Sequence, residues 1–173
     1  MKFVKSHSNI KNNHLAFLSL GSNINNKLDN INLSLKYLKN DKNIKIIKLS
    51  SIYQTEPMYY NNQSNFLNLA LKLQTSYKIH DLLNACKLIE KNMGRDFNQK
   101  RNYPRIIDLD ILTYDNLIYS DDVITIPHPR MHERKFVLIP INEIEPNYII
   151  PGYKVCIKKI LNHSKDISKV RKL

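Results

Sequence analysis

One stretch of the chain, NFLNLALKL at 65–73, places a leucine at every second position and so restricts the fold more than any other segment. Successive side chains of a β-strand point to opposite faces of a sheet. The leucines from Leu67 to Leu73 would therefore share one face, and Phe66 and Asn68 would lie on the other. This alternation predicts a strand whose leucines belong to the core.

Other segments also have the composition of strands. They are rich in apolar, β-branched or aromatic residues, and they end at turn residues or at proline. Strands are predicted at 15–20, 44–55, 105–114 and 117–126. After the first of these, Gly21 permits unusual dihedrals, and the side chains of Ser22 and Asn23 can bond the local backbone. We therefore expect a turn at GSN.

Two segments repeat apolar side chains at the spacing of an amphipathic helix. One runs from about 27 to 40, where Asn25 or Asn26 can cap it, and the other from about 79 to 93, where Gly94 stands at the expected stop. From Pro127 onward the sequence predicts proline-rich turns and short helical pieces, followed by a basic tail.

The resulting order of strand, helix, strand, strand, helix, strand predicts an α+β fold. It is the split βαβ arrangement, a ferredoxin-like βαββαβ sandwich with helices on one face of an antiparallel sheet. We expect added C-terminal strands and helices, a loose extension at 1–13 and a single domain at 14–173. Because the same fold also serves RNA binders, it does not choose a function by itself.

Composition excludes several classes of protein. The 173 residues suit one domain, and no apolar run approaches the about 20 residues that span a bilayer. The start, MKFVKSHSNIKNNH, lacks the apolar stretch of a signal peptide, so we expect a cytoplasmic protein. Cys86 and Cys156 have no partners at metal-ligand spacing. The net charge of +12 fits nucleic-acid binding, but a genome of biased nucleotide composition would favour lysine and give a similar charge regardless of function.

Asp108 and Asp110 carry the first candidate chemistry. Residues two apart in a strand share a face, so their carboxylates would lie together while Ile107 and Leu109 face the core. Adjacent anions repel unless a cation lies between them, and Mg²⁺ takes one or two carboxylates together with phosphates and water. The pair predicts a magnesium site. The alternative is an exposed strand face with two solvated aspartates.

Arginine, whose planar guanidinium grips phosphate through two hydrogen bonds, is concentrated in the same region. Five arginines fall within 40 residues, at Arg95, Arg101, Arg105, Arg130 and Arg134. The segment 95–105 would form a loop that closes over a substrate, or else a solvated basic connector. His128 lies between two prolines and would either contact phosphate or be structural.

Phe66 and Asn68 would place an aromatic ring beside an amide, which suits a flat heterocycle. The same pair would also result from packing under a helix. The three glycines are too scattered for a Walker A loop, so side chains and metal must hold any phosphate.

Six segments, taken in order, resemble bacterial 6-hydroxymethyl-7,8-dihydropterin pyrophosphokinases over about 15–153: LSLGSN, SSIYQTEP, FLNLAL, IEKNMGR, PRIIDLDIL and IPHPRMHERKFVL. The resemblance implies the ferredoxin-like fold. It also implies transfer of the β,γ-pyrophosphoryl group of ATP to the pterin's hydroxymethyl oxygen, with release of AMP, in folate biosynthesis. Two Mg²⁺ ions would assist, and the partners would be ATP and the pterin, with no nucleic acid or membrane. A monomer is expected.

The resemblance also assigns roles to residues. It implies that Asp108 and Asp110 ligate the metal and act in catalysis with Arg95 and Arg105. For ATP it implies Leu83, Glu90, Arg101, Arg105, Ile111, Thr125, His128 and Arg134. For the pterin it implies Thr55, Glu56, Met58, Phe66, Asn68 and Phe136. The family's loop often reads GRxRxxRWGPR, and this chain departs from it with Phe97 at the second arginine and Asn102-Tyr103 in place of Trp-Gly.

Two other functions stay open. An RNA-binding module would need exposed aromatic rings on the central strands of the sheet. A metal-dependent phosphodiesterase would cleave nucleotides with water and need no pterin.

Overall fold

The structure, a computed structural model, describes residues 13–57, 63–98 and 103–173. Within these ranges the elements follow in this order: β1 (His14–Ser22), α1 (Lys27–Asn40), β2 (Ile44–Leu49), β3 (Tyr53–Thr55), β4 (Phe66–Thr75), α2 (Ile79–Asn92), β5 (Asp108–Tyr114), β6 (Tyr119–Ser120), β7 (Thr125–Ile126), a 3-10 turn (Met131–Glu133), α3 (Lys135–Ile144), α4 (Ile157–Asn162) and β8 (Val170–Lys172).

An antiparallel sheet forms the centre of the fold. Its strand order is β5-β1-β4-β3-β8, and β2 also pairs with β4 beyond the part that β3 occupies. The predicted ferredoxin-like arrangement is confirmed, with β8 added at one edge. β6 and β7 form a separate two-stranded hairpin.

One face of the sheet carries α1 and α2, as predicted. The leucines of β4 pack into this core, where Leu69, Leu71 and Leu73 are almost completely buried. Both helices keep their predicted ends, because the side chain of Asn26 caps α1 and Gly94, with φ of +88°, follows the end of α2. None of the helices in the described ranges is long and apolar enough to cross a membrane.

The opposite face is also covered, which corrects the expectation of helices on one face only. Val137, Leu138 and Ile141 of α3 pack with Phe17 and Ala70 of the sheet in a second core that α4 completes. The sequence indicated only short helical pieces in this region. Asp108 and Asp110, which share a face of β5 with Leu112 of this core, remain partly exposed.

The predicted strand at 44–55 is wrong in its continuity. It consists of β2 and β3, separated at 50–52, where the backbone N–H of Ala70 donates to the Ser50 hydroxyl. A serine side chain can replace a backbone group in this way and interrupt a strand. The prediction at 117–126 is also wrong in extent, because Asp121 accepts hydrogen bonds from the N–H groups of Val123 and Ile124 and turns the chain.

Candidate functional site

A row of paired residues crosses the sheet through five strands. It consists of Lys172, Tyr53, Asn68, Gly21 and Asp108, on β8, β3, β4, β1 and β5, and is called the site rung below. Residues that pair across antiparallel strands point to the same face, and neighbouring strands lie about 4.8 Å apart. Asn68 and Asp108 therefore share a face and have only one residue between them.

Gly21 is that residue, and it must lack a side chain. A Cβ at Gly21 would lie 2.7 Å from Oδ1 of Asn68 and 4.0 Å from Cδ1 of Phe66. The sequence placed Gly21 in a turn for its conformational freedom, but it lies inside β1 and is needed for this close approach instead. The side chains of Phe66 and Asn68 thus both lie close to β1 at Gly21.

Asn68 is held in place by its neighbour on β3. Its side chain is 3% exposed, and Nδ2 donates to Oγ1 of the buried Thr55 at 2.8 Å. Two of the six residues that the resemblance implies for the pterin are therefore in direct contact. Their contact fixes the orientation of the amide.

Asp108 forms ion pairs with two of the predicted arginines. Its carboxylate accepts from Arg95 at 2.5 Å and from Arg105 at 2.7 Å. Burial alone would raise the pKa of Asp108, but the charges of Arg105 and Arg95 outweigh it and lower the pKa below its usual value. Asp108 is therefore ionised, and both guanidinium groups are held beside it.

Glu90 supports this cluster from beneath. Its side chain is completely buried, and it accepts from Arg95 at 2.5 Å, from Lys87 at 2.9 Å and from the backbone N–H of Leu109 at 2.7 Å. Burial raises its pKa. Glu90 joins α2 to β5, so its geometry suits a residue that positions Arg95, and direct contact with ATP stays a prediction.

Asp110 differs from Asp108 although it lies on the same face. Within the described part of the chain, no hydrogen bond or ion pair reaches its carboxylate. Burial, followed by the nearby charge of Asp108, raises the pKa of Asp110 to about 7. A half-buried carboxylate that lies near another anion without a partner fits a site for a divalent cation.

The two carboxylates of Asp108 and Asp110 match the number and the type of protein ligands that Mg²⁺ takes. No group of three or more His, Cys, Asp or Glu residues forms a metal site within the described ranges. Mg²⁺ characteristically takes one or two carboxylates and completes its shell with water and phosphate oxygens. Asp108 and Asp110 can supply the protein part of such a shell.

His128 and Arg134 lie near the two aspartates, because the charge of Arg134 acts on Asp110 and that of Asp108 acts on His128. Burial, followed by the charge of Arg134, lowers the pKa of His128 to about 4, so its imidazole is neutral at pH 7. Its Nδ1 accepts from the backbone N–H of Arg130 at 3.2 Å, which leaves Nε2 as the N–H donor. Nε of Arg134 is buried and has no hydrogen-bond partner in the described structure. Both side chains therefore have donors to offer a ligand.

Two side chains near the cluster were not assigned a role from the sequence. Lys87 pairs with Glu90, and the ring of Phe97 receives Arg95 at 5.3 Å and Lys87 at 5.8 Å. Phe97 was noticed only as a departure from an arginine. Its ring provides a cation–π contact to Arg95, which also pairs with Asp108.

The contacts of Asn23 also differ from the prediction that its side chain bonds the local backbone. Its side-chain oxygen accepts from the backbone N–H of Arg105 at 2.8 Å, and the backbone N–H of Asn23 donates to the Arg105 carbonyl. These residues are 82 positions apart, so no local pattern could show the contact. Asn23 ties the segment before β5 to the end of β1.

The remaining predicted residues are not all brought to this centre. Phe66 and Phe136 are half-buried, with Phe136 in the α3 core, and Glu56 is exposed just after β3. Leu83 and Ile111 belong to the opposite core with α1 and α2, and Thr125 is half-buried on β7. Arg101 and Met58 lie outside the described residues, so their roles stay predictions.

Comparison with known proteins gives consistent results. The profile of the 7,8-dihydro-6-hydroxymethylpterin-pyrophosphokinase family matches residues 17–146. A 2-amino-4-hydroxy-6-hydroxymethyldihydropteridine pyrophosphokinase of Bacillus subtilis is 38% identical over 132 residues, which cover 76% of this chain and 78% of that protein. A folic acid synthesis protein of Dictyostelium discoideum is 43% identical over 163 residues, which cover 92% of this chain and 24% of that protein.

The chain therefore spans about a quarter of the length of the Dictyostelium relative. Among solved structures, a Plasmodium falciparum HPPK-DHPS superposes with a TM-score of 0.72 at 17% identity over 90% of this chain and 46% of that one. An HPPK-DHPS in complex with substrates superposes with a TM-score of 0.69. At such low identity these likenesses support the fold.

Proposed function

Because the chain belongs to the 7,8-dihydro-6-hydroxymethylpterin-pyrophosphokinase family, we propose that it transfers the β,γ-pyrophosphoryl group of ATP to 6-hydroxymethyl-7,8-dihydropterin. The observation that carries the proposal is the pair of carboxylates on β5, of which Asp110 has no protein partner in the described structure. The products would be AMP and the pterin diphosphate, a step in folate biosynthesis. The enzyme would act as a cytoplasmic monomer.

In the proposed reaction the hydroxymethyl oxygen attacks the β-phosphorus of ATP. The bond from that phosphorus to the oxygen shared with the α-phosphate breaks, AMP leaves, and the hydroxyl proton passes to solvent. Asp108 and Asp110 would hold Mg²⁺, which neutralises the triphosphate when bound. The protein's own task is to orient the two reactants and to supply donors where negative charge develops.

The cations around Asp108 suit that task. Arg95 and Arg105 already lie within hydrogen-bond distance of Asp108, so they border any phosphate bound at the two carboxylates. The neutral His128 would donate from Nε2, and Arg134 would use its unpaired Nε. Such donors act most strongly on the transition state, in which charge spreads over the phosphate oxygens.

The site rung supports the placement of the second substrate. Asn68, held by Thr55, would read the edge of the pterin, while Phe66 and Phe136 would stack on its faces. Asn68 and Asp108 are separated by Gly21 alone. The hydroxymethyl group could therefore approach the nucleotide directly.

RNA binding fits the structure less well. The sheet face that would have to stack bases is partly covered by α3, and Phe17 on the central strand β1 is 2% exposed. The neighbouring strand β5 presents two acids, which repel phosphate without a cation.

An assay for AMP release tests the proposal. Purified protein with ATP, Mg²⁺ and the hydroxymethyl pterin should release AMP and form the pterin diphosphate in equal amounts. Omission of the pterin, or addition of a chelator, should abolish release. Absence of AMP from folded protein would refute the proposal, and AMP release without pterin would indicate the phosphodiesterase instead.

A further inference from the structure

Glu143, in the last turn of α3, gathers donors from two other elements. Its carboxylate accepts from the N–H of Ser51 at 2.7 Å, the hydroxyl of Ser51 at 2.7 Å, the hydroxyl of Tyr53 at 3.2 Å and Nζ of Lys172 at 2.8 Å. An ionised carboxylate offers about four acceptor positions. Those of Glu143 are therefore filled.

The contacts keep this carboxylate ionised. Burial alone would raise the pKa of Glu143, but the hydrogen bonds from Lys172, Ser51 and Tyr53 lower it to about 2. Hydrogen bonds to an ionised acceptor are stronger than those between neutral groups. The carboxylate therefore joins α3 firmly to the segment 51–53 and to β8.

The position of Glu143 on its helix connects it to the proposed pterin site. Phe136 and Glu143 are seven residues apart in α3, which is two turns, so both lie on one side of the helix. Phe136 packs in the core between α3 and the sheet. One face of α3 thus carries a proposed stacking ring at its start and this carboxylate at its end.

The donors connect to the other wall of the site. Tyr53 and Lys172 are both members of the site rung, and Thr55, two residues after Tyr53, holds the amide of Asn68. β3 is only three residues long, so it has few contacts of its own to fix its position against α3. The four hydrogen bonds to Glu143 supply that restraint.

We infer that Glu143 is a positioning residue, which sets the separation between Phe136 on α3 and the Thr55–Asn68 pair on the sheet. This inference rests on the proposed function, because those groups are the two walls that would hold the pterin. Glu143 lies at the end of the rung opposite to Asp108, so its effect should fall on the pterin and not on ATP.

A matched control is available on the same helix end. Glu145 accepts from Lys48 and Lys72, on β2 and β4, and its side chain is 27% exposed compared with 28% for Glu143. It therefore has a similar environment and similar ion pairs. Because it does not bond to 51–53 or to β8 in the described structure, its loss should leave the pterin wall in place.

The experiment compares the wild-type chain with Glu143→Gln and Glu145→Gln. The KM of each substrate is measured by AMP release, and pterin affinity is measured separately by titration of its fluorescence. Glu143→Gln should raise the KM and Kd of the pterin about tenfold, because small misplacement of binding groups is costly. The KM of ATP should stay within about twofold, and Glu145→Gln should leave both substrates within about twofold.

A second variant covers the case in which Glu143→Gln does not fold. Tyr53→Phe removes only the hydroxyl that donates to Glu143, and it should raise the KM of the pterin by about threefold with ATP unchanged. Equal effects of Glu143→Gln and Glu145→Gln, or equal effects on the two substrates, would overturn the inference alone. A wild-type chain that neither releases AMP nor binds the pterin would overturn the proposed function and this inference with it.

Discussion

Asp110 shows how a single side chain can oppose the stability of the protein that carries it. Its carboxylate is half-buried near Asp108 without a partner in the described structure, and this placement raises its pKa to about 7. A group held in such a position is a common sign of a binding or catalytic site. The unpaired carboxylate destabilises the metal-free protein, and a bound cation would relieve this unfavourable free energy.

Replacement of Asp110 by Asn should therefore separate activity from stability. We expect turnover to fall by at least about 100-fold, because a proposed metal ligand is lost. In the absence of Mg²⁺ and ATP, the melting temperature should rise by about 2–4 °C, the shift that ~1 kcal/mol gives in a chain of this size. Thermal unfolding and AMP release measure the two effects.

Asp122→Asn, at an exposed position between β6 and β7, is the control and should change neither quantity. A melting temperature that falls in Asp110→Asn would mean that the carboxylate has a stabilising partner after all.

The sequence could indicate residues of this kind but not their partners. The spacing of Asp108 and Asp110 is local, so the shared strand face was predictable. The bonds of Glu90 to Leu109, of Asn23 to Arg105 and of Glu143 to Ser51 join distant segments. Such contacts depend on how the elements pack, and one sequence contains no signal for them.

At the scale of elements, β1 is the strand on which the site depends most. It lies between β4 and β5, and Gly21 allows the two neighbours to bring Asn68 and Asp108 together. Side-chain volume at this position would have to displace the Asn68 amide, which Thr55 already holds. A methyl group should thus be enough to disturb the proposed pterin site.

Gly21→Ala is expected to lower the free energy of unfolding by about 1–3 kcal/mol, as overpacking of a filled site usually does. The KM of the pterin should rise by about tenfold or more, with a smaller effect on ATP. In the background of Asn68→Ala, where the clashing oxygen is absent, the loss of stability should shrink. Equal losses in both backgrounds, measured by urea unfolding, would show that the clash is not the cause.

Element prediction succeeded where periodicity was strong and failed where side chains replaced backbone partners. The alternation of β4 and the spacing of α1 and α2 gave those elements within a few residues. Ser50 and Asp121 interrupted predicted strands by bonding to backbone N–H groups. The covering of the second face by α3 was not visible, because a helix near prolines gives only a weak pattern.

At the scale of the whole molecule, Glu143 joins α3, the segment 51–53 and β8, so its ionisation should influence global stability. Its pKa is about 2 in the folded protein, below the ordinary value of 4.5. A lowered pKa stabilises the fold above the ordinary value, and this contribution is lost as the pH falls from about 4.5 through about 2.

Wild-type protein should therefore be more stable than Glu143→Gln at pH 7, and the difference should become smaller by pH 3. Urea unfolding at several pH values measures it. Glu133→Gln, which removes a more exposed carboxylate, serves as the control and should cost less stability at pH 7. A difference between wild type and Glu143→Gln that is constant from pH 7 to pH 3 would contradict this account.

The site rung has a consequence for how such a site can change. Its members sit on successive strands, so the spacing between the acid on β5 and the amide on β4 is set by backbone hydrogen bonds. Exchange of side chains can alter which molecules fit at either position, but it cannot alter that interval. The sheet thus fixes the distance between the acid and the amide. A new acceptor molecule that is held by the amide would have to place its reactive oxygen at that distance.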